Sequence, residues 1–118
     1  RRYELIKALI PELQEVLVVC NIGIPSQEMF SISDRENHFY MLGSMGLCSS
    51  IGLGLSLATK KTVVALEGDG SVLMNLGSLA TIANRAPRNF ILLVIVLSRA
   101  IFHPFQILLR LSFEMEDL

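Results

Sequence analysis

The chain is 118 residues long, enough for one domain of common size and too short for two. Apolar residues make up 52% and charged residues 18%, a balance that excludes an intrinsically disordered segment. Ten basic residues against eleven acidic ones leave a net charge of −1, so the chain carries no electrostatic footprint for nucleic acid or an anionic membrane. Cys20 and Cys48 stand far apart and outside any C-x-x-C pattern, which excludes a zinc ribbon or a disulfide scaffold. The first residues do not follow the basic, apolar, small-residue order of a secretory signal, and the expected location is cytoplasmic. Phe39 to Thr59 is uncharged over a length that would span a bilayer. Its four glycines and four serines make it a poor apolar cylinder.

In chain order, Tyr3 to Leu13 reads as a short amphipathic helix with Leu5, Ile6, Leu9 and Ile10 on one side, and Pro11 breaks its end. Val16 to Cys20 (VLVVC) is a run of the kind found in strands buried on both faces. Asn21 to Ser26 is a turn, with Ser26 expected to cap a helix through Phe30. Ser31 to Asn37 reads as irregular, and Phe39 to Leu42 as a short extended segment. Met45 to Thr59 mixes small and large apolar residues, as suits a helix packed closely on a sheet. Thr62 to Leu66 (TVVAL) is a second buried strand, stopped by Glu67-Gly68-Asp69-Gly70. Ser71 to Asn84 has helical periodicity through Leu73, Leu76, Leu79 and Ile82, and Pro87 ends it. Phe90 to Val96 (FILLVIV) is a third buried strand. This rhythm predicts an α/β domain with a doubly wound parallel sheet and helices on both faces. The tail, Leu97 to Leu118, breaks the alternation; a helix after Pro104, with Phe105, Leu108, Leu109 and Ser112 on one side, is its expected form.

Ligands of open parallel sheets sit outside the carboxyl ends of the strands. Gly68-Asp69-Gly70-Ser71 falls at such an end. Two glycines permit close backbone approach to a bulky anion, a following helix start offers free N–H groups to phosphate, and Asp69 supplies the hard oxygen that Mg²⁺ takes. These features together describe a magnesium-diphosphate site. The same four residues also suit a plain turn with Asp69 as a helix cap. Gly52-x-Gly54 lies inside a helical stretch and lacks the third glycine of a dinucleotide fingerprint. Cys20 and Cys48 read as buried small apolar groups and His103 as inert; His38 reads as a surface or capping residue or as one facing substrate, and Glu67 as a structural residue flanking the turn or as a catalytic acid.

The segment GDGSVLMNLGSLATIANRAPRNFILLVI (Gly68 to Ile95), with VVCNIGIPSQEMFSISDRENHFYMLGSMGLCSSIGLGLSLA (Val18 to Ala58) upstream, resembles the diphosphate-binding domain of thiamine-diphosphate-dependent decarboxylases. Within them it is most similar to the family acting on sulfopyruvate and phosphonopyruvate. The resemblance covers Val16 to about Ile95 and implies a thiamine-diphosphate-binding fold over residues 1–96, with 97–118 an atypical tail. It implies thiamine diphosphate and Mg²⁺ as cofactors, with Asp69 as metal ligand. Gly68, Gly70 and Ser71 would meet the diphosphate, with Gly23 in a loop beside it. Gly43 would offer its carbonyl to the aminopyrimidine, next to Ser44, and Met45 would be the apolar wedge that keeps the cofactor bent. Methionine suits a wedge because it is long, unbranched and polarizable; an ordinary core methionine is the other reading.

The resemblance further implies decarboxylation of a small 2-oxo acid, sulfopyruvate to sulfoacetaldehyde and CO₂, in coenzyme M biosynthesis or related sulfonate metabolism. Glu28, Glu36 and Glu67 do not match the family's activating glutamate. The implied partner is therefore an alpha subunit that carries the pyrimidine-binding domain and that glutamate, and the lone chain is expected to be inactive. Two departures from the family pattern stand out. The asparagine that closes the motif, a second protein ligand to magnesium, aligns with Leu97, and Val96 stands where aspartate is usual. The family's Gly-Asn segment is replaced by LSRAIFHPFQ. A frameshifted or truncated tail, and a sheet incomplete at its C-terminal side, are the expectations. A non-catalytic remnant and an apolar interaction module remain as alternative readings.

Overall fold

The computed structural model describes residues 2–97 and the backbone of 106–111. Among the described residues five strands form one sheet: β1 (Leu17–Cys20), β2 (His38–Tyr40), β3 (Val63–Gly68), β4 (Phe90–Leu97) and β5 (Gln106–Leu111), in the order β2-β1-β3-β4-β5. The first four are parallel, with Val18 opposite both His38 and Val64, and Ala65 opposite Leu92. β5 runs antiparallel to β4, so the tail segment 106–111 is a strand and not the expected helix. Its alternation is obscured by ILL, an apolar run that periodicity cannot assign between helix and strand. Phe105, Ser112, His103 and the side chain of Leu97 lie outside the described residues.

Helices cover both faces, as the strand–helix rhythm predicts. On one face α1 (Arg2–Leu9), a following 3₁₀ turn (Ile10–Leu13) and α2 (Ile24–Ile32) pack Ile6, Leu13 and Met29 over Val18, Cys20, Val64, Leu66, Leu93 and Ile95. Arg2 grips Glu28 with Nε and one terminal nitrogen, at 2.7 and 3.1 Å, and so joins α1 to α2. On the other face α3 (Cys48–Ala58) and α5 (Ser78–Arg85) bring Cys48, Leu53 and Ile82 onto Val19, Val63, Ala65, Phe90, Leu92 and Val94. Alternate residues of each central strand thus enter different cores. This double burial is why those strands read as unbroken apolar runs.

Local detail departs from expectation in three places. Ser26 does not cap α2: Gly23 does, at φ +79°, with Pro25 in the first turn. Ser26 lies inside that turn and donates to the carbonyl of Asn21 at 2.6 Å. The helix expected over Ser71–Asn84 is two helices, α4 (Asp69–Met74) and α5, parted at Asn75–Gly77 by turns in which Ser78 N–H reaches Asn75 O and Ala80 N–H reaches Gly77 O. The uncharged stretch Phe39–Thr59 is split between β2, a loop and α3. No helix among the described residues is long and apolar enough to cross a membrane.

Candidate functional site

β1 and β3 end side by side, with Cys20 opposite Leu66, and Asn21 N–H extends the pairing to Leu66 O at 2.9 Å. Beyond these ends the chain gathers three pieces: the turn after β1, the loop Gly43–Gly46 after β2, and the junction of β3 with α4. Gly68 is the last residue of β3 and Asp69 the first of α4. Asp69 and Gly70 are exposed. Asp69 makes no hydrogen bond or ion pair among the described residues, so its carboxylate is available to a cation. α4 is only six residues long, which limits the dipole contribution assumed from sequence.

The loop Gly43–Gly46 reaches across to α4. Ser44 has φ +57° and Gly46 φ +96°, left-handed conformations that turn the backbone sharply. A side chain on Gly46 would meet Cβ of Met74 at 3.2 Å and the carbonyl of Ser71 at 3.4 Å, so both space and φ demand glycine. The backbone of Gly46 is held on both sides: its N–H donates to Ser71 Oγ at 2.9 Å, and Asn75 Nδ2 donates to its carbonyl at 3.2 Å. Met45 is 43% exposed, and its methyl group lies 3.7 Å from where a Cβ of Gly70 would stand. Two residues far apart in sequence, both singled out there, therefore face one another. Gly43 has open space where a side chain would be. Gly23, exposed at the start of α2, also has nothing within 4 Å of its Cβ position.

Ser71 is different. It is 1% exposed, and its hydroxyl turns inward to Gly46 N, to Glu67 Oε1 at 3.1 Å and to Asn21 Oδ1 at 3.2 Å. Only its backbone N–H, in the first turn of α4 and outside the intrahelical ladder, is left for a ligand. Glu67 is also 1% exposed, and Oε2 has no hydrogen-bond partner among the described residues. Burial pushes its carboxyl pKa up, against the pull of Ser71 and, more weakly, of Ser49. Asn21 is 5% exposed. Sequence reading placed Glu67 on the flank of a turn and gave Asn21 no role. The available signal was position: each stands at the carboxyl end of a buried apolar run, where polar residues are rarely buried without purpose.

The cysteines stay away from this chemistry. Cys20 and Cys48 are fully buried, and Cys48 Sγ donates to Val19 O at 3.3 Å. Burial raises both thiols, Cys20 to about 12, so neither is a ready nucleophile. Gly52 and Gly54 sit within α3, and Gly52 serves packing against Phe90 and Ala65. His38 Nδ1 is 3.2 Å from the hydroxyl of Tyr40, which in turn donates to Asp34. Among the described residues no three metal-type side chains cluster; a cation at Asp69 would take most of its oxygens from a ligand and water.

The family model for the C-terminal TPP-binding domain of thiamine pyrophosphate enzymes matches residues 22–96. The chain belongs to this family. It is 61% identical over 94 residues to sulfopyruvate decarboxylase subunit beta of Methanococcus maripaludis, and 53% identical over 96 residues to that of Methanocaldococcus jannaschii; each match covers 80% of this chain and 51% of the relative. Phosphonopyruvate decarboxylase of Streptomyces viridochromogenes is 45% identical over 95 residues, 24% of its own length. The chain thus spans about half the length of the beta subunits that it matches. The expected family and the doubly wound fold are borne out.

The residues fit thiamine diphosphate. Gly43 leaves its backbone open to close approach, Gly70 carries no side chain and is exposed, with only the Met45 methyl near its Cβ position, and Asp69 presents an available carboxylate. All lie outside the carboxyl ends of parallel strands, where open α/β sheets take their ligands.

Proposed function

We propose that this chain is the diphosphate-binding part of a thiamine-diphosphate-dependent 2-oxo acid decarboxylase, with sulfopyruvate as its substrate. The observation that carries the reading is Met45 standing over Gly70 beside an available Asp69, in a chain 61% identical to a sulfopyruvate decarboxylase beta subunit. Identity to the phosphonopyruvate enzyme is lower, 45%, which favours a sulfonate over a phosphonate headgroup.

In this reading Asp69 would hold Mg²⁺, and the N–H groups of Gly70 and Ser71 would receive the diphosphate. The carbonyl of Gly43 would accept from the aminopyrimidine, and Met45 would pack against the cofactor as an apolar wedge. Thiamine supplies the electron sink for loss of CO₂; the protein supplies placement and electrostatics. The apolar side chains around the loop, including Leu42 (97% exposed) and Leu73 (69%), exclude water once a partner covers them. That partner is an alpha subunit bringing the activating glutamate, since among the described residues the site's acids are Asp69, taken by the metal, and Glu67, which is buried.

The test is reconstitution. The chain with a complementary alpha subunit, thiamine diphosphate and Mg²⁺ is expected to release CO₂ from sulfopyruvate, and the chain alone to release none. Equal release by the lone chain would overturn the two-subunit reading. Turnover of phosphonopyruvate in preference to sulfopyruvate would overturn the substrate assignment.

A further inference from the structure

Buried carboxylates are rare unless they are paired, because desolvation of the charge is costly. Glu67 is buried at the end of β3 and forms no salt bridge among the described residues. Its Oε1 accepts a hydrogen bond from Ser71, four residues on. Ser71 in turn is the acceptor for Gly46 N–H, and Asn75, one helical turn further along, donates to the carbonyl of the same residue. Gly46 directly follows Met45. A chain of contacts therefore runs from a buried acid to the residue facing Gly70: Glu67 to Ser71, Ser71 to Gly46, Gly46 to Met45.

We propose that Glu67 is a positioning residue, which fixes the rotamer of Ser71 so that its Oγ clamps the Gly46 peptide and holds Met45 over Gly70. This inference rests on the proposed cofactor site for its consequence, though not for its geometry. A serine hydroxyl has three staggered positions; the carboxyl of Glu67 and the amide of Asn21, at 3.1 and 3.2 Å, select the one that faces Gly46. Without Glu67 the hydroxyl keeps only Asn21 Oδ1 to orient it, the Gly46 N–H has a less steady acceptor, and a loop bearing φ +57° and +96° has less to hold it. Glutamine can replace the carboxyl here, because its amide offers both an acceptor and a donor at nearly the same place. Methionine matches the length and offers neither.

Amide hydrogen exchange of the full chain, read by NMR without cofactor, tests the geometry. Gly46 is expected to exchange at least about tenfold faster in Ser71→Ala and in Glu67→Met, the scale of one lost hydrogen bond, and to stay within about threefold in Glu67→Gln. Core amides at Ala65 and Leu92 should be unchanged in all three. Should Glu67→Met not fold, Glu67→Leu takes its place. Thiamine diphosphate affinity of the assembled protein, measured by calorimetry with Mg²⁺, is expected to follow the same order. Wild-type exchange at Gly46 in Glu67→Met, or equal loss in the Gln and Met variants, would overturn the proposal. So would altered exchange with unchanged cofactor affinity. Absence of thiamine diphosphate binding by the wild type is a separate result: it would overturn the proposed function and leave the exchange comparison to decide the role of Glu67 in the loop.

Discussion

Gly52 leaves no room for a side chain between α3 and the ring of Phe90: a Cβ there would stand 2.8 Å from Cε2 of Phe90 and 3.0 Å from Cβ of Ala65. Helix and sheet meet at backbone distance at this point. Gly52→Ala is expected to destabilise the fold by about 1–3 kcal/mol through overpacking, despite alanine's better helix propensity. Urea unfolding measures this, and Phe90→Leu added to Gly52→Ala should recover part of the loss. A Gly52→Ala variant as stable as the wild type would show that α3 can move away freely.

Met45 is expected to separate stability from turnover. At 43% exposure, Met45 is a little over half buried, and Met45→Ala should cost about 1–2 kcal/mol. Turnover of the assembled enzyme should fall at least about tenfold, because misplacement of reacting groups is severely penalised. Turnover lost only in proportion to folded protein would make Met45 an ordinary packing residue.

The proposed metal site has one carboxylate to test and one alignment. Asp69→Ala should remove Mg²⁺-dependent thiamine diphosphate binding, since Mg²⁺ takes oxygen ligands in near-octahedral order. Leu97→Asn should strengthen that binding at least about tenfold, roughly 1.4 kcal/mol, if position 97 is where the family's second ligand falls. Both are read by calorimetry on the chain assembled with an alpha subunit. Equal affinities for the wild type and the Leu97→Asn variant would place the motif's end elsewhere.

His38 gives a pH dependence. Burial, then the charge of Arg35, lowers its pKa below the usual 6.5. The unfolded chain therefore takes up the proton first as pH falls, and stability drops through and below pH 6.5 toward the folded-state pKa. His38→Gln should flatten that part of the stability–pH curve in chemical denaturation. An identical slope in the variant would assign the loss to other groups.

What could be read from the sequence followed from burial. VLVVC, TVVAL and FILLVIV stand out because strands between two cores need apolar residues on both sides. The GDG turn was legible for a similar reason: glycine and aspartate at a strand end carry their chemistry with them. The break at Asn75–Gly77 was not legible, because Leu73, Leu76, Leu79 and Ile82 keep helical spacing across it. Leu73 and Leu76 are 69% and 53% exposed, so their spacing reflects something other than one continuous buried stripe. Asn75 spends its side chain on Gly46, a partner that local sequence cannot reveal. Asn21 was missed likewise: its contact to Ser71 joins segments that only the fold brings together. Glu67 was read as a structural residue at the turn, but its burial and its bond to Ser71 were not.

The strand order also sets the pace at which the molecule can assemble. β1 lies between β2 and β3, so Leu17 must find Val63 and Val18 must find His38 before either core is closed. Such pairings lose loop entropy first and gain contacts late, which places folding in the slower part of the range for small domains. The Gly46 clamp needs β1, β2, β3 and α4 already in place. It is therefore expected to close last on refolding and to open first under mild denaturant, ahead of the sheet that carries it.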